Sequence, residues 1–540
     1  MTRPSHTTRS FLLASHGSLA LALVAVSLAA GPRAAGQDRG EARALRPSRG
    51  SAELPRAFPP LPRELAGRPC TRTLKAGARL QDALDRARGG DVICLAEGAR
   101  FAENIVLRAR PDSQWVVLRT APGASPGEGA GVRIRPSLSA PLAKIVATPG
   151  TQSAIRTAPG ARRWYLLLLE VTTDSTAATG PTALITLGGA APDEAGRGAQ
   201  GIASELVLDR VFAHGWPEQT LRRCLALNSG ATAIVDSWLD ECHEKGADSQ
   251  AIGGWGGPGP YLIENNTLFG AGENVMFGGS DPRTPGMTPS DVVLRRNHLG
   301  TPPEWRGRWT KKNILETKNV RRLLVEDNVL EGAWRDGQDG WAIVLKSANQ
   351  GGRCTWCITA DVVIRRNLIR NVGAGIAVNG RGGDRGNIDS VSRRIEITEN
   401  YVDDVGIGPY RGVGRMMQIL TGVEGLIVAD NTFLAPPSAE LQSSLVLGSP
   451  NVVSARGLVF ERNVLARRRY AVTGCGGPKT WTACLPNARI VGNVLVGGTP
   501  RPEDRFLSGF TVVSSARGAG RAGVDRAVVE RAVEGVVVPR

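Results

Sequence analysis

A chain of 540 residues with 41% hydrophobic and 21% charged residues is long enough for three or four ordinary domains and too apolar to be disordered, while 67 Gly and 34 Pro exclude a helical bundle. The formal charge of +16 does not mark a nucleic-acid binder: residues 1–69 hold ten Arg against four acidic residues, and the rest of the surplus is spread thinly with no basic stripe. Only eight of the 66 basic residues are Lys, which points to codon bias rather than to phosphate contacts.

At the N-terminus Arg3 and Arg9 precede an apolar run from Phe11 to Ala30, followed by small residues at Ala34 and Ala35 that suit a peptidase. This reads as a secretory signal over residues 1–35. His16, Gly17 and Ser18 interrupt the run, so a membrane anchor is the weaker reading, and no later segment is long and apolar enough to span a bilayer. A secreted or periplasmic location follows. Residues 36–69 are rich in Pro and Arg, lack a periodic apolar face, and are expected to form a disordered linker.

Eight Cys in an exported chain are consistent with four disulfides, for which sequence alone permits 105 pairings. Nearest neighbours suggest Cys70 with Cys94, Cys224 with Cys242, Cys354 with Cys357, and Cys475 with Cys484. The Cys354-Thr-Trp-Cys357 element lacks the βαβ context of a redox motif and the second ligand pair of a zinc site, and reads as a loop staple.

Self-comparison reveals the architecture. A short pattern of alternating apolar residues ending in Asn, any residue and an apolar residue recurs eight times, as LIENNTL, VLRRNHL, LVEDNVL, VIRRNLI, EITENYV, IVADNTF, VFERNVL and RIVGNVL. The aligned Asn are Asn266, Asn297, Asn328, Asn367, Asn400, Asn431, Asn463 and Asn493; two degenerate copies before them carry Arg210 and Ser237 in the Asn position. A period near 31 with alternation and no 3.6-residue pattern argues for a β-solenoid. Asn tolerates the left-handed backbone conformation, and its amide can bond to the Asn of the next coil, so the column marks a repeated tight turn.

Leu80, Ala83, Leu84 and Ala87 fall on one face of a short helix that precedes GGDVICLAEG at 89–98. With the repeat, this resembles the right-handed parallel β-helix proteins of the pectate-lyase superfamily, which includes pectate lyases, chondroitinase B-like and alginate lyases, and polygalacturonases. The resemblance covers residues 70–500. It implies an all-β chain: a single-stranded right-handed parallel β-helix with an N-terminal capping helix. Residues 501–540 lose the Asn pattern and are expected to form a C-terminal cap, in which Val524, Ala527, Val528, Ala532 and Val533 line a short helix covering the open end.

The resemblance also implies that a second strand set, with the loops leading into it, builds a substrate cleft. Those strands are CLALN (224–228), NVMFG (274–278), NILETK (313–318), WAIVLK (341–346), GIAVN (375–379), RMMQIL (415–420) and SLVLG (444–448). Equivalent residues of stacked coils lie about 4.8 Å apart, so a functional surface is read across coils. Alternation sends Leu315, Thr317, Ile343, Leu345, Ile376 and Val378 inward, and Glu316, Lys318, Lys346 and Asn379 outward. The loops bring Trp305, Arg308, Trp309 and Lys312, then Trp334, Asp336, Asp339 and Trp341; five of the eleven Trp fall between Trp305 and Trp356. Aromatic faces flanked by cations suit an acidic polysaccharide.

For β-elimination a cation must hold the uronate carboxylate while a base removes the proton alpha to it, and Lys318 beside Lys346 fits that need. The stretch VLKS at 344–347 is similar to the catalytic-lysine strand of chondroitinase B-like lyases. That family places an Arg on the next coil; here Asn379 stands there, with Arg381 two residues beyond. Hydrolysis needs paired carboxylates, which Glu273 with Glu316 or Asp336 with Asp339 would supply, and ranks second. Calcium is a possible cofactor, since Asp384 and Asp389 lie in a Gly-rich loop, although a plain polar loop is the simpler reading and no metal ligands are assigned. The expected protein is a monomer whose partner is an anionic polysaccharide, with lyase, hydrolase and noncatalytic glycan-binding scaffold as the alternatives.

Overall fold

The computed structural model describes residue 50 and residues 52–123, 131–150, 152–189, 201–382, 386–467, 470–477, 480–497 and 508–537. The expected signal segment, residues 36–49 of the expected linker, and Asp384 lie outside these.

Each coil of about 31 residues contributes a strand to a twelve-stranded sheet and usually two to a second sheet, and the paired strands run parallel. The chain is a right-handed parallel β-helix. Alternation decides what fills it: Val275, Leu315, Ile343 and Ile376 stand in one register and point into a continuous apolar core with Leu345 and Val378. The helix Leu80–Asp85 buries Leu80, Ala83 and Leu84 and closes the N-terminal end of that core.

The corner between the two strands of the second sheet carries the repeated Asn. All eight are fully buried and form a single file: Nδ2 of Asn266 donates to Oδ1 of Asn297 at 3.0 Å, and the chain continues through Asn328, Asn367, Asn400, Asn431 and Asn463 to Asn493 at 2.9–3.1 Å. Each of these Oδ1 atoms also accepts the backbone N–H of the preceding Asn, and Nδ2 caps a strand carbonyl of the previous coil, as Asn297 does at Ile263. The left-handed residue is not the Asn but its predecessor. Asn265, Arg296, Asp327, Arg366, Glu399, Asp430 and Arg462 have φ of 51–58°. That division leaves the Asn side chain turned inward, where its amide replaces the lost strand bonds, while the residue that turns the chain faces outward.

The four suggested disulfides, Cys70–Cys94, Cys224–Cys242, Cys354–Cys357 and Cys475–Cys484, are all formed.

Both terminal segments depart from expectation. Residues 52–69 are not a disordered linker but an ordered strap laid lengthwise across the coils. Backbone N–H groups of Gly50, Glu53 and Arg56 donate to Glu396, Asp361 and Asp291, and Arg63 pairs with Asp236, so the strap crosses successive coils in reverse order. Its Pro residues pre-set an extended backbone, which lowers the entropy lost on docking, and its grip combines main-chain donors, the Arg63–Asp236 pair and the buried Leu65, a scattered set that a search for apolar periodicity does not see. The C-terminal helix, Arg526–Ala532, does not cover the open end. It lies on a flank, where Val529, Val533 and Val536 pack on Val329, Leu368 and Tyr401, and Arg526 pairs with Asp403 at 2.6 Å. The last coil is instead continued by the strand Phe510–Val513, paired with Asn493–Val496, with Phe510 packed near Phe460 and Trp481.

Removing an amide from mid-file strands two buried donors, the N–H and Nδ2 of the preceding Asn, each at about 1–3 kcal/mol. Asn367→Ala is therefore expected to cost roughly 3 kcal/mol or more. Asn266→Ala, whose Oδ1 accepts only from Ser237 N, is expected to cost clearly less. Urea unfolding of both variants checks the order; equal losses would contradict the file as the source.

Candidate functional site

On the outer face of the twelve-stranded sheet the coils bring together residues far apart in sequence. Met276, Glu316, Val344 and Ala377 form one row. Lys318 and Lys346 follow the paired Thr317 and Leu345, so they stand on adjacent coils as the alternation requires. On the coil before, Gly278 holds that row open: a Cβ there would lie 2.7 Å from Cβ of Lys318. Glu273 starts its strand one coil before Asn313 and beside Gln250.

These side chains form one charged cluster. Glu316 is fully buried; its Oε1 lies 3.1 Å from Lys346 Nζ and 3.6 Å from Lys318 Nζ, and Oε2 accepts from Asn313 Nδ2 at 2.7 Å. Glu273, also fully buried, has Oε1 2.9 Å from Lys312 Nζ, and Oε2 accepts from Gln250 at 2.8 Å. Lys312 Nζ also reaches Asp248 at 2.9 Å. Each Oε1 is thus met by a lysine ammonium, Lys346 on Glu316 and Lys312 on Glu273. The side chains of Lys346, Lys312 and Lys318 are 19%, 11% and 10% exposed, so a ligand meets ammonium groups before it meets carboxylates.

The two carboxyls are driven apart. Burial pushes Glu316 up, but the ammonium groups of Lys346, Lys318 and Lys312 outweigh it and hold the group at about 2. Glu273 is raised by burial and by the Glu316 charge, against the pull of Lys312. Lys312 is raised: the carboxylates of Glu273 and Glu316 outweigh the opposing effect of burial. Behind the strand, the wholly buried Lys311 is brought down to about 7 by desolvation; its Nζ donates to Asn274 Oδ1 and Asn313 O.

The sequence reading brought Lys318, Lys346, Glu316, Glu273 and Lys312 to one place, and the structure gathers them. Asn379 follows on the next coil, half-buried, with its Oδ1 buried and without a partner. Arg381 is exposed on the loop beyond, its backbone N–H donating to Thr421. The tryptophans are a correction. Trp305 and Trp334 pack into a buried apolar cluster, Trp341 into another with Val344 and Ala377, and Trp309 stacks on His243 at 4.0 Å. Their rings serve as loop cores, so Trp305, Trp334 and Trp341 offer no open face to a sugar. Arg308 reaches across to Glu218 on the exposed rim. Asp336 caps Lys311 N, and Asp339 is half-buried nearby.

Gln250, Asp248 and Asn313 were missed. Gln250 sits on the strand Gln250–Gly254, a coil without the Asn signature whose glycines blank out the alternation. Ammonium groups lie beside both Glu316 and Glu273, and among the described residues no group of three or more His, Cys, Asp or Glu is placed to hold a metal ion.

No protein-family model and no curated protein matches the chain. Solved structures do. A mannuronic acid specific polysaccharide family 6 lyase from human gut microbiota is 13% identical, with a TM-score of 0.44 over 86% of this chain and 98% of that one. The PL6 family alginate lyase AlyGC is 15% identical with a TM-score of 0.44 over 84% of this chain, which spans 56% of its length. The tailspike protein of E. coli bacteriophage HK620, solved with a pentasaccharide, is 12% identical with a TM-score of 0.40 over 79% and 64% of the two chains.

Because Glu316 is depressed, its ion pairs contribute stability that is present above its ordinary value of about 4.5 and is lost as pH falls toward about 2. Glu316→Gln is expected to be less stable at neutral pH, through the lysines left unpaired, and to show a shallower fall in stability between pH 4.5 and 2. Thermal melts across that range test it; an unchanged acid slope would show that the carboxylate is not held low.

Proposed function

We propose that the chain is an exported carbohydrate-active β-helix protein that binds an acidic polysaccharide across the outer face of its twelve-stranded sheet and cleaves it by β-elimination. The observation that carries this reading is the convergence of Lys318 and Lys346, from adjacent coils, on one side of Glu316, with their ammonium groups outermost. Lys312 adds a third ammonium group on the same face. An anionic chain is the ligand such a face attracts.

In this mechanism Lys318 neutralises the uronate carboxylate, which stabilises the carbanionic charge that develops as the alpha proton leaves. Lys346, the more exposed of the two, is the group placed to take that proton. The C4–O bond then breaks, the electron pair closes a C4–C5 double bond, and the proton passes to the leaving oxygen. Glu316 fixes both lysines, and Asn313 fixes Glu316. No step uses a metal ion. Four disulfides, and no helix among the described residues long and apolar enough to cross a membrane, support an extracellular setting.

A noncatalytic glycan-binding reading is favoured by the fact that every one of these ammonium groups already has a carboxylate partner. Turnover separates the two. The purified mature protein is to be incubated with polymannuronate, polyguluronate, pectate and glycosaminoglycans, with calcium and with chelator, while absorbance of unsaturated uronate is followed. The expected result is a rate on at least one acidic polymer that rises with pH, is unchanged by chelator, and falls 100-fold or more in Lys346→Ala with affinity within threefold of wild type. Lys318→Ala is expected to weaken both rate and affinity. Binding without new double bonds on every polymer would establish the scaffold instead.

A further inference from the structure

On the outer face of the second sheet, away from the Glu316 strand, lies a cavity of about 370 Å³ lined by Lys144, Glu170, Phe212, His214, Trp216 and Pro136, among others. Lys144, Glu170 and Phe212 share one row across three strands. Phe212, His214 and Trp216 alternate along a single strand and its exit, so their rings stand side by side. His214 stacks on Phe212 at 4.1 Å and 17°, and Trp216 meets His214 edge-on at 5.1 Å. Trp216 Nε1 donates to Thr173 O at 3.1 Å, which fixes a half-buried indole at the edge of the cavity.

The acidic groups around these rings are all engaged within the protein. Glu170 takes Lys144 on one oxygen and faces His214 Nε2 with the other at 3.4 Å. Asp240 accepts from Trp238 Nε1 and from Glu241 N, and Glu241 faces His243 at 2.9 Å. An anion would face the carboxylates of Glu170, Asp240 and Glu241, and a cation would have to compete with Lys144 or with the N–H donors that hold Asp240. A neutral ligand does neither.

We propose that this cavity is a carbohydrate-binding site for a neutral pyranose, separate from the lysine face. Trp216, the most open of the three rings and backed by the His214–Phe212 stack, accepts the C–H face of a sugar ring, and Lys144 and Glu170 at its side offer a donor and spare acceptor lone pairs to the equatorial hydroxyls. The volume falls at the small end of the roughly 300–1,000 Å³ common for ligand sites, which suits one or two sugar rings. Such a site would hold the neutral part of a mixed glycan, or a neutral neighbour of the acidic chain.

The test is calorimetric titration of the mature protein with cellohexaose, xylohexaose, mannohexaose and maltohexaose, with a hexamannuronate as the acidic control. At least one neutral hexasaccharide is expected to bind with a Kd below 10 mM. Trp216→Ala is expected to weaken it tenfold or more, and the Lys318→Ala, Lys346→Ala double variant to leave it within twofold. If Trp216→Ala does not fold, Ser139→Trp, which fills the cavity mouth from the Pro136–Leu138 turn, is expected to give the same loss. No binding by any of the four neutral sugars, or binding that survives a folded Trp216→Ala or Ser139→Trp, would overturn the assignment. Loss of neutral binding in the double-lysine variant would overturn it as well, by placing the sugar on the other face.

Discussion

The buried file of asparagine amides is the constraint on which the rest depends. A parallel solenoid repeats one corner many times, and each repetition exposes the same backbone groups to an interior with no water to satisfy them. One side chain that is both donor and acceptor at a spacing near 4.8 Å solves this for every coil at once, because the oxygen of one amide serves two donors of the coil before it. The register of both sheets follows. A one-residue slip would break the file and turn the apolar row of Val275, Leu315, Ile343 and Ile376 outward.

The same spacing governs the charges. On the outer surface, arginines pair with acids of the neighbouring coil, with Arg322 bidentate on Asp291, Arg366 on Asp327 and Arg462 on Asp430. A planar guanidinium spans one coil step and meets both carboxylate oxygens, which lysine does not. Arginine is thus the residue of the ladders. Lysines gather instead on the outer face of the twelve-stranded sheet, where Lys312, Lys318 and Lys346 act as point charges around two buried glutamates.

Much of this was legible in the sequence, because one residue per coil is enough to reveal a period, and alternation then assigns Glu316, Lys318 and Lys346 to one face. What was not legible had physical causes. Trp305, Trp334 and Trp341 read as a sugar platform because composition shows that rings cluster on loops but not which way the loop folds over them. Gln250 went unseen because Gly253 and Gly254, at the far end of its strand, carry no side chain to alternate. The strap over residues 52–69 reads as a linker because its contacts, the backbone N–H groups of Glu53 and Arg56, the Arg63–Asp236 pair and the buried Leu65, follow no regular side-chain pattern.

That strap has a counterpart on another flank, where the helix Arg526–Ala532 and the residues around it touch Thr432, Asp403, Arg296 and Arg133 in turn. A stack of coils that touch only their neighbours would fray from its ends one winding at a time. Here each end of the chain is doubled back like a lashing over several windings, so no outer winding can peel off until a cord tied to the middle of the rod has been undone. Loosening an outer winding must therefore also break contacts made to the middle of the stack.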